Sequence, residues 1–236
     1  MFFVVKRHTL LLFACAAVAL TAAISLFTGP ALPAFAPTQE ELTVYVLDAG
    51  HGGEDGGALS AAGDKESDVN LAITLRLDAL LRLLGKETVL TRDADVSIYT
   101  DGADTLRQKK VSDLRNRVAL VNAIPNAVLI SVHQNSLPGV PSVHGAQAFY
   151  NTVEPSGQLA QSVQAALNHS INTGEKSEKQ IDKTIYLMKN VTCPAVLVEC
   201  GFLSNADEAA RLQTPEHQKK LAAAIAAGIL NEREEP

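Results

Sequence analysis

The chain has no surplus of positive charge. Its 20 lysines and arginines are outnumbered by 26 aspartates and glutamates, giving a formal net charge of −6 over 236 residues. A general nucleic-acid binder needs a basic surface to neutralise phosphates, so that class is excluded. Cysteine is also scarce, and three residues cannot build a disulfide framework. Cys193 and Cys200 flank the run PAVLVE. If that run is a strand, their sulfurs lie roughly 20 Å apart at about 3.3 Å per residue, beyond bonding reach. There is no internal repeat and no phosphate-cradling loop. Where GxGxxG would place its third glycine after Gly50-His-Gly52 stands Asp55, and Asp55 and Glu54 would repel phosphates.

Charge is missing altogether from Leu10 to Phe27, an apolar stretch preceded by Lys6 and Arg7. At about 1.5 Å per residue it reaches roughly 27 Å, on the border between a signal-peptide core and a spanning helix. Pro30 and Pro33 end it, and Ala34-Phe35-Ala36 suits a signal peptidase. Residues 1–36 therefore read as a signal peptide or an N-terminal membrane anchor, with residues 37–236 exported. On this reading the membrane is met only through that N-terminal segment.

Apolar content is high enough for a sizeable core: 47% of the chain is hydrophobic and 19% charged. Beyond residue 37, short apolar runs alternate with helical periodicity. Strands are predicted over 43–47, 87–90, 127–132, 145–150, 184–188 and 195–198. Helices are predicted over 68–84, 106–122, 156–168, 206–212 and 215–230. Unbroken apolar strands between helices argue for a single α/β domain, a mostly parallel twisted sheet with helices on both faces.

Three ionisable residues stand just beyond such runs: His51, His133 and Glu199. A parallel sheet gathers its carboxyl ends along one edge, where open α/β proteins bind ligands. Glu66, before the first helix, can project from that helix's opening turn towards the same edge. Two imidazoles and a carboxylate are a usual set for catalytic zinc, with water in the fourth position. His51, Glu66 and His133 are assigned as ligands of one Zn2+ per chain and Glu199 as the acid/base beside it. Asp48 is a candidate acceptor for a ligand imidazole N–H. Glu199 closes an apolar run, and an unpaired buried charge there is expensive, so it needs a partner or a function.

Four segments carry a resemblance: Asp48-Ala-Gly-His-Gly-Gly-Glu-Asp-Gly-Gly57, Glu66 before a helix, Ser131-Val-His-Gln-Asn135 and Val198-Glu-Cys-Gly-Phe-Leu-Ser-Asn205. In this order the chain, from about Thr43 to Leu230, resembles the zinc-dependent N-acetylmuramoyl-L-alanine amidases of bacterial cell walls. The resemblance implies one zinc on His51, Glu66 and His133, Glu199 as catalytic carboxylate, and peptidoglycan as substrate. The reaction it implies is hydrolysis of the amide between the lactyl group of N-acetylmuramic acid and L-alanine of the stem peptide. Ala49 stands where the family usually has proline, and Ser136 where it often has alanine; neither removes a ligand. The segment His144-Gly-Ala-Gln-Ala-Phe-Tyr150 is similar to the spore-cortex, germination-specific type, whose implied task is to prepare muramic-δ-lactam.

Asn135 and Arg92 are taken as substrate contacts, Arg92 having a second reading as a surface partner of Asp93 or Asp95. His144 has two readings as well, a substrate contact or a solvent-facing strand residue; His169 and His217 read as exposed. A domain this small with no wall anchor of its own fits dependence on an activating partner protein. Two rivals are kept in view. One is a cysteine hydrolase using Cys200 and His133, disfavoured because Cys200 points away from its neighbour Glu199 along a strand. The other is a non-catalytic wall-binding or partner-scaffolding module, which would have no need of Glu199.

Overall fold

The computed structural model describes residues 42–231, and the leader segment lies outside them. Six strands form one sheet: β1 (Val44–Ala49), β2 (Glu87–Leu90), β3 (Ala127–Asn135), β4 (Gln147–Tyr150), β5 (Lys179–Gln180) and β6 (Ala195–Phe202). Their order is β2-β1-β3-β6-β4-β5, and every neighbouring pair is parallel except the antiparallel β4–β6. Six helices accompany them among the described residues: α1 (Glu66–Leu83), α2 (Leu106–Asn122), α3 (Ser156–Ser170), α4 (Tyr186–Asn190), α5 (Ala206–Leu212) and α6 (Pro215–Asn231). None is long and apolar enough to cross a membrane.

Strand alternation splits the core into two layers. Tyr45, Leu47, Ile130, Val132, Val196 and Val198 meet the apolar stripes of α1, α3 and α6, among them Ile73, Leu77 and Leu81 at helical spacing. Val46, Leu129 and Leu197 face the other way, against Val121 of α2 and Leu187 and Met188 of α4. Each fully buried aliphatic side chain contributes about 1.5–3 kcal/mol. The mostly parallel α/β sheet covered on both faces is thus the architecture expected from the sequence.

Local signals explain where elements begin. Thr105 accepts from the Gln108 amide while the Gln108 side chain accepts from the Thr105 amide, a capping box that opens α2 at Leu106. Asn205 caps α5 by accepting from Glu208 N. One expectation fails: residues 184–188 are not a strand, because a helical turn from Tyr186 lets Leu187, Met188 and Val191 enter the same apolar layer. A strand would have sent Leu187 and Met188 to opposite faces. The strands β3 and β6 also run further than expected, so His133 and Glu199 lie within them and not past their ends.

Candidate active site

The site stands at the carboxyl edge of the sheet, over the layer that holds α2 and α4. His133 and Glu199 are register partners across β3 and β6, so their side chains leave the same face one strand apart. His51 arrives differently. It follows β1 in a left-handed backbone conformation, φ 62°, which a residue with a side chain adopts only when its surroundings hold it there.

Those surroundings are two buried arginines. Arg117 of α2 donates to the carbonyls of Ala49 (2.8 Å) and His51 (2.8 Å), and Arg92 donates to those of Ala49 (2.8 Å), Gly50 (3.1 Å) and Ser67 (2.8 Å). Three consecutive carbonyls are thereby fixed, with Asn70 Nδ2 adding a second bond to Gly50 O. Arg117 is balanced by Asp113 and Asp48 at 2.7 and 2.6 Å.

Glu66 opens α1, where the helix dipole favours a carboxylate. Its Oε2 accepts from the Ala58 amide, and Oε1 accepts from Gln134 N. That same Oε1 lies 2.9 Å from His133 Nδ1 and 3.3 Å from His51 Nε2. One atom from each of the three residues falls within a span of 4.8 Å. The two rings meet edge to face with centroids 5.1 Å apart. Space for them depends on glycine: a Cβ at Gly50 would come within 2.3 Å of the His133 ring, and one at Gly57 within 2.5 Å of Glu66 Oε2.

The donor set suits a borderline metal such as zinc, which takes imidazole nitrogen and carboxylate oxygen. The free nitrogen of His51 also has what a ligand ring requires, since Nδ1 pairs with Asp55 Oδ2 at 2.9 Å. Burial pulls the His51 ring down, but hydrogen bonds to Asp55 and Glu66 outweigh it and lift its pKa to about 9. For Glu66, burial acts upward and is overcome by the two rings, which hold the carboxyl well below its ordinary range. Beside this trio, Glu199 Oε2 is buried with no hydrogen-bond partner among the described residues. Burial raises Glu199 to about 7, against the pull of His133.

Two sequence assignments are corrected. Asp48 accepts no ring N–H. Its carboxylate is taken by Arg117, Thr91 Oγ1 (2.8 Å) and Ser131 Oγ (2.6 Å) beneath the site, and the ring-orienting acid is Asp55. Burial raises Asp48, but Arg117 and the Ser131 hydroxyl prevail and hold it at about 2. Arg92, 3% exposed and spent on backbone carbonyls, is neither a substrate contact nor a surface salt bridge. Asn135 ends β3 on the cleft wall, its Oδ1 accepting from Ser136 N. His144 bonds Ser142 O and Thr173 Oγ1, apart from the cleft, and His169 is exposed; His217 is half-buried and not exposed as expected. Cys193 and Cys200 are free, and Cys200 is buried in the layer opposite the site, its thiol pushed up by burial and by Glu199. That removes the cysteine-hydrolase reading.

Sequence reasoning missed Asp55 and Arg117. Asp55 follows His51 by four positions in the glycine-rich loop. Arg117 interrupts the Leu114–Val118–Val121 face of a helix, where a charge demands buried partners.

Two rings and a carboxylate converging on one point, with a protonatable acid next to them, define a candidate metal-dependent hydrolytic site on a parallel α/β sheet. Comparison with known proteins makes the class specific. Residues 46–231 match the N-acetylmuramoyl-L-alanine amidase family, and the chain belongs to it. It is 38% identical over 190 residues to the germination-specific N-acetylmuramoyl-L-alanine amidase of Bacillus subtilis, covering 79% of this chain and 78% of that protein. The CwlD amidase of Clostridioides difficile, solved in complex with the GerS lipoprotein, superposes with a TM-score of 0.77 at 38% identity, covering 80% of this chain and 98% of that one. The amidase AmiC2 of Nostoc punctiforme gives 0.69 at 31% identity, covering 82% and 98%.

Proposed function

We propose that this chain is a zinc-dependent amidase that cleaves the bond between the N-acetylmuramic acid lactyl group and L-alanine of the peptidoglycan stem, in the service of spore-cortex remodelling. The observation that carries the reading is the convergence of His51 Nε2 and His133 Nδ1 on Glu66 Oε1 beside an unpartnered Glu199 Oε2. A zinc ion on His51, Glu66 and His133 would supply Lewis acidity towards the amide carbonyl and an acidified water.

The rest of the chemistry belongs to the chain. Glu199 Oε2 accepts the proton released by the attacking water and returns it to the departing alanine nitrogen. Its burial without a hydrogen-bond partner among the described residues favours the protonated form, so the carboxyl can hold the proton between the two steps. Asp55 fixes the His51 ring and its tautomer, while Arg92 and Arg117 fix the loop that presents it. The cleft above, about 440 Å³, is lined by Leu114, Asn135, Ser136, Ile185 and Tyr186 among others, and accommodates the bond and its neighbours.

Export through the N-terminal segment, cleaved or retained, belongs to this reading, since the substrate lies outside the cytoplasm. So does an accessory lipoprotein, because CwlD was solved with one. The deciding experiment is metal analysis of wild type and His133→Ala, together with release of stem peptide from purified peptidoglycan. Stoichiometric zinc and peptide release in wild type, both lost in His133→Ala, are expected. No zinc in either protein, or zinc binding without peptide release, each with an accessory lipoprotein supplied, would favour a wall-binding module.

A further inference from the structure

With Arg92 withdrawn from the substrate, the cleft still has to receive an anionic peptide. Its walls carry Asp48, Asp55, Glu66, Asp113 and Glu199. A stem peptide whose second residue is a γ-linked glutamate keeps a free α-carboxylate one residue beyond the scissile alanine, about 3.8 Å per Cα step. Asp48 and Asp113 are already paired with Arg117, but a cation placed to meet that group would offset the carboxylates that remain.

Among the described residues lining the cleft, the permanent cations are Arg117 and Lys110. Arg117 is 2% exposed and fully used by Asp48, Asp113 and two carbonyls. Lys109, the neighbour of Lys110 on α2, is bound to Glu54 and lies over the Tyr99 ring, 4.8 Å from its centroid, outside the cleft lining. Lys110 is left. It is exposed, and its Nζ sits 3.0 Å from Asp55 Oδ2, the same oxygen that holds His51 Nδ1. One carboxylate oxygen thus stands between the ammonium and the ring of the metal trio. An ammonium has three N–H donors, and Asp55 occupies one.

The geometry points to Lys110 as a specificity-determining residue that receives the α-carboxylate of the second stem residue and so distinguishes peptides with a free acid from amidated ones. This rests on the amidase reading. Asp55 ties the ammonium to the His51 side of the cleft, 3.0 Å from the oxygen that the ring also meets. A carboxamide at that position loses the charge-assisted bond and retains its size.

The test compares two soluble muropeptides that differ only in carboxylate or carboxamide at the second residue, hydrolysed by zinc-supplied full-length protein. The expected ratio of kcat/KM, acid over amide, is about tenfold for wild type. It falls to about one in Lys110→Gln, through KM more than kcat, and is recovered in Lys110→Arg. Taking a ratio within each variant cancels any general effect on the metal site through Asp55. Release from both substrates with the same ratio in wild type and Lys110→Gln would overturn this inference alone. Release from neither by wild type, with an accessory lipoprotein supplied, would overturn the amidase reading and this inference with it.

Discussion

The two sides of the site are built by different means. His133 and Glu199 sit in adjacent strands as register partners, and the backbone ladder of β3 and β6 alone sets their separation. His51 sits in a loop at positive φ, and its place is set by side chains: Arg92, Arg117, Asn70 and Asp55 together bind its backbone and its ring. The strand side should tolerate the loss of a functional group without loss of form, because its backbone pairing does not depend on those side chains. The loop side should not where it rests on Arg92 and Arg117, buried charges whose partners would be left unpaired.

Three substitutions sharpen this contrast. On the strand side, Glu199→Gln should lower turnover about 10²- to 10⁴-fold while leaving zinc content and melting temperature near wild type, as read by metal analysis and calorimetry. A comparable loss of zinc would show that the strand side also holds the metal's geometry. Beneath the loop, Asp48→Asn in β1 should destabilise by about 3 kcal/mol in denaturant unfolding, since Arg117 keeps its charge and loses one of its two carboxylates. Asp48 is held near 2 in the fold against about 3.8 unfolded, so its contribution is present above about 3.8 and is lost as pH falls towards 2. The stability gap between wild type and Asp48→Asn should therefore narrow by roughly 2 kcal/mol from pH 6 to pH 2. An unchanged gap would mean that the ionised form of Asp48 is not favoured by folding. Smallest is Asp55→Asn, which keeps shape and removes the charge behind the His51 ring. It should weaken zinc binding about 10- to 100-fold in a chelator competition, with the fold intact. Unaltered affinity would remove Asp55 from the ligand-orienting role.

The same contrast explains which parts of the molecule are legible in the sequence. Apolar periodicity and caps mark β3, β6, α2 and α5 because local rules and long-range packing agree there, as at Thr105 and Gln108. Edge convergence puts His51, His133 and Glu199 in one place, since a parallel sheet leaves few alternatives. The loop is harder to read. Asp48 and Arg92 resemble site residues because they flank strand ends, but which carbonyl an arginine meets depends on three-dimensional packing. Arg117 lies 66 residues from the carbonyl of His51 that it holds. The short helix α4 departs from expectation for a related reason: over five residues neither period is established, and burial of Leu187 beside Met188 decides the outcome.

The pairing of His133 with Glu199 also bears on how this enzyme can diversify. The ring proposed to hold the metal and the carboxylate proposed to carry protons occupy a single rung of the sheet. Shearing that rung would mean breaking the middle of the domain, so the spacing on which bond cleavage depends is insulated from changes at the rim. Rim residues such as Ile185 and Tyr186, which bond none of the trio, could be exchanged to suit another peptide while the reacting core keeps its dimensions.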